Sequence, residues 1–142
     1  MRTSLDTNIL SAIWSGEPGA SNLSNQLQVL RNTGTLAIAP IVFAELFAHP
    51  HATQDIMGEF MTDTAIEVDF HLDKSVWIEA GLRYSQYAAR RRKSIREAPR
   101  RLLADFLVGA HALVHADQLM TLDTNRFTHD FPELRLVDTS VL

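Results

Sequence analysis

The chain has 142 residues, 46% of them hydrophobic, a mean hydropathy of -0.05 and no cysteine, which suits one domain with its own core and excludes disulfides and thiolate metal sites. Thirteen Lys and Arg stand against seventeen Asp and Glu for a net charge of -4, too acidic for a protein that coats nucleic acid non-specifically. No apolar run approaches membrane-spanning length and "MRTSLDTN" carries no signal-peptide core, so the expectation is a single cytoplasmic domain over residues 1–142 with no membrane partner.

In chain order, "TSL" (3–5) reads as a short strand broken by "DTN", and "ILSAIW" begins a helix that ends near Gly16. "SNLSNQLQVLRNTG" reads as a helix capped by Ser21 and stopped by Gly34. "TLAIA" (35–39) is a strand, and Pro40 opens a helix through "IVFAELFA" that "HPH" breaks. "ATQDIMGEFMTD" supplies a short helix and "AIEVDF" an alternating strand. "LDKSVWIEAGLRYSQYAARRRK" is a long amphipathic helix with Val76, Trp77, Ala80, Tyr84 and Ala88 at helical spacing. "LLADFLVGAHALVHA" is a buried helix, "QLMTL" (118–122) a strand and "LRLVD" (134–138) the last strand. Strands alternating with helices predict an α/β domain around a mainly parallel sheet.

The modest net charge hides an asymmetry. Eight of the 13 basic residues fall between Arg83 and Arg101, where Glu97 is the single acid, so this stretch carries +7 and the remainder -11. One reading is a solubilising face; the other is a surface that docks a polyanion beside an acidic site.

In parallel α/β sheets the functional crevice lies at the carboxyl ends of the strands. Asp6 and Asn8 follow the first strand and Asp123 follows "QLMTL", while Glu45 sits in the second turn after "TLAIA" and Asp105 near the start of the buried helix. Individually these residues read as turn formers, caps or exposed helix positions. Four carboxylates at one sheet edge repel one another, and a hard divalent cation resolves the conflict. A metal ion is therefore the expected counter-charge for Asp105, which otherwise stands among leucines and valines.

"LDTNIL", "AELFA", "LLADFLVGAHAL" and "LMTLDTNRF", in this order along essentially the whole chain, resemble the four motifs of PIN domains, most closely those of VapC-type toxins. The resemblance implies a three-layer α/β/α fold with strand order 3-2-1-4-5 and a metal-dependent endoribonuclease acting as the toxin of a toxin–antitoxin pair. By the same resemblance Asp6, Glu45, Asp105 and Asp123 form the acidic cluster that binds Mg²⁺ or Mn²⁺, with Asn8 and Thr121 in support. The ion would lower the pKa of bound water, and in-line attack would leave a 5′-phosphate and a 3′-hydroxyl. The implied partners are an RNA substrate (a tRNA or rRNA loop), a cognate antitoxin and a second copy of the chain. Arg90, Arg91, Arg92, Lys93 and Arg126 are candidate phosphate contacts. Thr124 and Asn125 follow Asp123 where some relatives carry another acid, so a fifth carboxylate is not expected.

Two other classes remain open. A phosphotransfer enzyme also places an Asp after its first strand, but wants a second acid where Asn8 stands and a lysine near the site. A non-catalytic RNA- or protein-binding module would keep the fold, although an idle repulsive cluster only destabilises it. His111 and His115 have zinc-compatible spacing without the glutamate of a zinc-protease motif, and His49 and His51 flank Pro50. All four read as structural. Trp14 and Trp77 read as core or interface residues and Gly109 as a close-packing position.

Overall fold

Each strand of this chain is three or four residues long, and the burial of the two central strands on both faces determines the architecture. In the computed structural model, which describes residues 1–93 and 101–140, the strands are β1 (Arg2–Leu5), β2 (Thr35–Ile38), β3 (Ile66–Val68) and β4 (Gln118–Met120). They form one parallel sheet in the order β3-β2-β1-β4. Thr3, Ser4 and Leu5 are consecutive and all buried, as are Leu36, Ala37 and Ile38. Such runs occur where helices cover both faces of a sheet, because successive side chains point to opposite sides.

The helices are α1 (Thr7–Trp14), α2 (Ala20–Thr33), α3 (Pro40–Leu46), α4 (Gln54–Thr64), α5 (Lys74–Lys93), α6 (Leu103–His115) and α7 (Thr124–Asp130). Pro40 takes the first turn of α3 as expected. The cap of α2 is Gly19 rather than Ser21, because the turn demands φ +90° there, a conformation that glycine adopts without a Cβ clash. Residues 94–100 of the basic stretch, with Arg96, Glu97 and Arg100, lie outside the described residues.

Two further expectations need correction. The segment 134–138 is not a full fifth strand. It contacts β4 through one parallel bridge, Leu119 to Leu136, with the Leu119 amide donating to the Arg135 carbonyl and the Val137 amide donating to the Leu119 carbonyl, each at 2.9 Å. Two residues on, Asp138 accepts from the Ser140 amide and ends the extended run in a local turn. The second correction is α7, which the chain-order reading omits. Its seven residues are largely polar, and Phe127 and Asp130 are the two that it buries.

Helix direction brings distant segments to one edge. Asp73, just before α5, meets His115 at the end of α6, whereas Tyr84 and Tyr87 stack on Phe106 near the start of α6. The two helices are therefore antiparallel. Because β4 begins three residues after α6 ends, α6 runs opposite to the strands and its first turn lies at their carboxyl edge. The basic end of α5 lies there too.

Gly109 shows how tightly α6 is seated. A Cβ on it would stand 2.4 Å from Phe131 Cε2, and Phe131 is buried between Phe106, Phe127 and the guanidinium of Arg83. We expect Gly109→Ala to cost about 1–3 kcal/mol by overpacking, read as a fall of several degrees in thermal melting. Adding Phe131→Leu should recover part of the loss. A Gly109→Ala protein that melts like wild type would show that the ring gives way freely.

Candidate functional site

Asp6 is the residue that the first strand delivers to the carboxyl edge. It is 6% exposed, and its carboxylate accepts from the Thr7 amide and from the Thr121 hydroxyl, both at 2.8 Å. Burial pushes its pKa up, the two hydrogen bonds and the charge of Arg126 oppose the shift, and the charge of Asp105 adds to it. Its own amide donates to the Met120 carbonyl at 2.9 Å, which fixes the end of β1 against the end of β4.

Thr121 organises this corner. Besides holding Asp6, its hydroxyl accepts from Asn8 Nδ2 at 3.3 Å and from the Asp123 amide at 3.1 Å. Asn8 Oδ1 in turn accepts from the Leu122 amide at 3.2 Å. The buried hydroxyl thus joins the first and last acidic segments, which lie more than a hundred residues apart in sequence.

Glu45 reaches the same edge from α3. It is exposed, and its Oε1 accepts from the Thr7 hydroxyl at 2.7 Å, so Thr7 connects it to Asp6 through adjacent backbone. Asp105 is the third residue of α6. Its Oδ2 accepts from the Leu102 amide at 3.3 Å, satisfying one of the free donors of the helix start.

The counter-charge at Asp105 is a guanidinium. Arg126 Nη1 lies 2.9 Å from Asp105 Oδ1, and Nη2 lies 2.9 Å from Asp123 Oδ2. One arginine on α7 thereby bridges two acids from different elements. Among the described residues, no three His, Asp or Glu side chains are gathered closely enough to hold an ion as they stand. The donor set nevertheless fits a hard divalent cation in kind. It consists of carboxylate and hydroxyl oxygens, and it already accommodates a positive group between Asp105 and Asp123.

The basic candidates divide. Arg90 is ion-paired with Asp130, a carboxylate whose side chain is 3% exposed, and Arg101 pairs with the other oxygen of the same group. Arg101 also donates to the Arg126 carbonyl. Arg91 lies 3.4 Å from the Tyr87 hydroxyl, while Arg92 and Lys93 are exposed. The Arg90–Asp130–Arg101 cluster escaped the sequence reading, since its partners are 40 and 29 residues apart.

His111 and His115 are tied to acids elsewhere. His111 is fully buried and shares a 2.9 Å hydrogen bond with Asp69, and burial holds its pKa below the usual imidazole value. His115 shares a 2.8 Å bond with Asp73. Trp14 packs edge-on against His49 and Phe60, whereas Trp77 is about half exposed, at 52%.

A family model described as PIN domain matches residues 4–130. Among solved structures, VapBC-1 from nontypeable Haemophilus influenzae is similar with a TM-score of 0.69 and 20% identity, covering 99% of this chain and 100% of that one. VapBC2 from Rickettsia felis, bound to a DNA fragment from their promoter, gives 0.65 and 23%, covering 96% and 98%. FitAcB from Neisseria gonorrhoeae gives 0.66 and 21%, covering 99% of each chain. A search of curated proteins finds no match.

The raised pKa of Asp6 has a thermodynamic consequence. Folded protein binds that proton more tightly than unfolded chain, so in EDTA the stability falls as pH rises from 3.8, the unfolded value, through the higher folded value. Thr121→Val removes a donor that favours the ionised form, and we expect the transition to move to higher pH. Asp6→Asn should abolish it. Carboxyl chemical shifts and melting across roughly pH 3 to 8 measure both effects. A Thr121→Val transition at or below that of wild type would separate the two residues.

Proposed function

The chain belongs to the PIN-domain family, and from that premise we propose that it is a divalent-metal-dependent endoribonuclease, the toxin of a toxin–antitoxin pair. The observation that carries the reading is that Asp6, Glu45, Asp105 and Asp123 all come from segments at the carboxyl edge of a parallel sheet, on the side of the basic end of α5. In this reading the four acids hold Mg²⁺ or Mn²⁺, which when bound neutralises charge on the phosphodiester and lowers the pKa of a water.

The remaining groups have separable tasks. Thr121 and Asn8 fix Asp6 in one orientation, so its oxygens are pre-aimed rather than mobile. Glu45 is exposed, and the Thr7 hydroxyl occupies only one of its oxygens. It is the acid best placed to accept a proton near the scissile bond. Arg92 and Lys93 supply phosphate contacts at the same end of the molecule, with Arg91 beside them, whereas Arg90 is committed to Asp130. A single-stranded loop of tRNA or rRNA suits an edge crevice of this kind, since its backbone can enter without a paired strand.

Partner binding is part of the proposal. The neighbours by fold include VapBC assemblies and a toxin–antitoxin complex from Klebsiella pneumoniae, the latter at TM-score 0.66 and 19% identity, which supports a cognate antitoxin here. Trp77, Ile78 and Leu82 on the outer side of α5 are 52%, 49% and 57% exposed, and this apolar surface supports a homodimer. Among the described residues no helix is long and apolar enough to cross a membrane, in keeping with a cytoplasmic site of action.

Purified protein should cleave total RNA with Mg²⁺ or Mn²⁺ and not in EDTA. Asp105→Asn and Glu45→Gln should each slow cleavage by ~100-fold or more while remaining folded. Expression without a partner should arrest growth, and Asp105→Asn should relieve the arrest. Arrest that persists in a soluble Asp105→Asn protein defeats the nuclease reading. A further expectation concerns Arg92 and Lys93. Replacing both with Ala should weaken RNA binding and reduce the salt dependence of log K by up to about 2, and an unchanged slope would return them to a solvated face.

A further inference from the structure

The guanidinium between Asp105 and Asp123 stands where the proposed ion would need oxygen donors. Its two contacts, 2.9 Å each, use one oxygen of each acid, and its charge also acts on Asp6. The backbone beneath it is held firmly. The Arg126 carbonyl accepts from Arg101, Arg101 and Arg90 together grip the buried Asp130, and Phe127 is 1% exposed in the core. The side chain itself is 34% exposed. A fixed backbone carrying a half-exposed arginine head permits rotation of that head without movement of α7.

We propose that Arg126 is a built-in counter-cation that competes with the divalent ion for Asp105 and Asp123, and that RNA resolves the competition by drawing the guanidinium onto a phosphate. The inference rests on the metal-site reading above and adds a coupling to it. Two cations cannot share the same two carboxylates without mutual repulsion. Without RNA, Arg126 compensates the acids and weakens metal binding. A phosphate entering the crevice offers the guanidinium a bidentate partner of equal charge type, and the carboxylates are released to the ion. Metal and RNA then bind with positive coupling, and the coupling is reciprocal.

The test measures Mn²⁺ binding, by calorimetry and by the paramagnetic resonance of free Mn²⁺, with and without a 2′-O-methyl oligonucleotide that cannot be cleaved. Wild type, Arg126→Ala, Arg126→Gln and Asp105→Asn are compared. We expect Arg126→Ala and Arg126→Gln to bind Mn²⁺ at least ~10-fold more tightly than wild type without RNA. We expect the oligonucleotide to tighten Mn²⁺ binding to wild type by a clearly larger factor than to the Arg126 variants, in which the direct attraction between phosphate and ion alone remains. Metal-free Arg126→Ala should melt below wild type and gain more from Mn²⁺, and Arg126→Gln keeps the comparison open should the alanine variant fold poorly. If wild type binds Mn²⁺ through Asp105 and the Arg126 variants bind no more tightly, the competition is refuted while the metal site stands. If no variant binds Mn²⁺, the metal site and the competition fall together. Binding by the Arg126 variants alone would support the competition in its strongest form.

Discussion

Carboxylates from separate segments are brought to one edge of the sheet, and the need to compensate each of them there is the constraint around which the neighbouring structure is built. The parallel strands bring Asp6 and Asp123 there by geometry alone, because each follows the end of its strand. Two hydroxyls, an amide and a guanidinium then compensate them. Thr121 and the Thr7 amide hold Asp6, Thr7 Oγ1 holds Glu45, and Arg126 joins Asp105 to Asp123. The threonine and amide partners are short or part of the backbone, so little side-chain entropy is lost in those contacts.

A second electrostatic knot supports the first from behind. Asp130 is buried at the end of α7 and would destabilise the fold as a lone charge. Arg90 from α5 and Arg101 before α6 meet its two oxygens, so three segments are joined at one carboxylate. Arg83 extends the same seam, pairing with Glu133 and Glu79 and lying 5.0 Å from the centre of the Phe131 ring. Glu133, held by Arg83, has its pKa lowered to about 2. The seam sets the position of α7 and therefore of Arg126. Part of the basic cluster is thus scaffold, while among its described residues Arg92 and Lys93 are exposed.

Local signals carried much of this in the sequence. Alternation of short apolar strands with helical spacing predicts the parallel α/β sheet, and the strand-end rule predicts where Asp6 and Asp123 lie. Asn8 is marked, like Asp6, by its place after the first strand, whereas Thr121 is identifiable only through the family resemblance, because a buried hydroxyl in "MTLD" has no local mark. What escaped depends on tertiary context. The polar heptapeptide of α7 earns its helix from Phe127 and Asp130, buried against partners distant in sequence. The fifth strand shrank to a bridge because Asp138 turns the chain locally. The assignment of a metal as the sole counter-charge for Asp105 missed Arg126, since a residue 21 positions away carries no sequence sign of facing back. The phosphotransfer alternative does not survive membership of the PIN-domain family.

The acidic edge divides into two unequal halves. Asp6 is nearly buried and bonded on both oxygens, which makes it a fixed point. Asp105 and Asp123 are partly exposed and share a single arginine whose contacts are ionic and partly solvated, the kind of contact that water and counter-ions weaken. Glu45 is the most open of the four. A site with one rigid acid and three adaptable ones can hold a positive group of different shape in different states. A guanidinium needs two oxygens in its plane, whereas a small ion needs donors from several directions. In the structure Arg126 sits on the adaptable acids, while neutral donors compensate the rigid one.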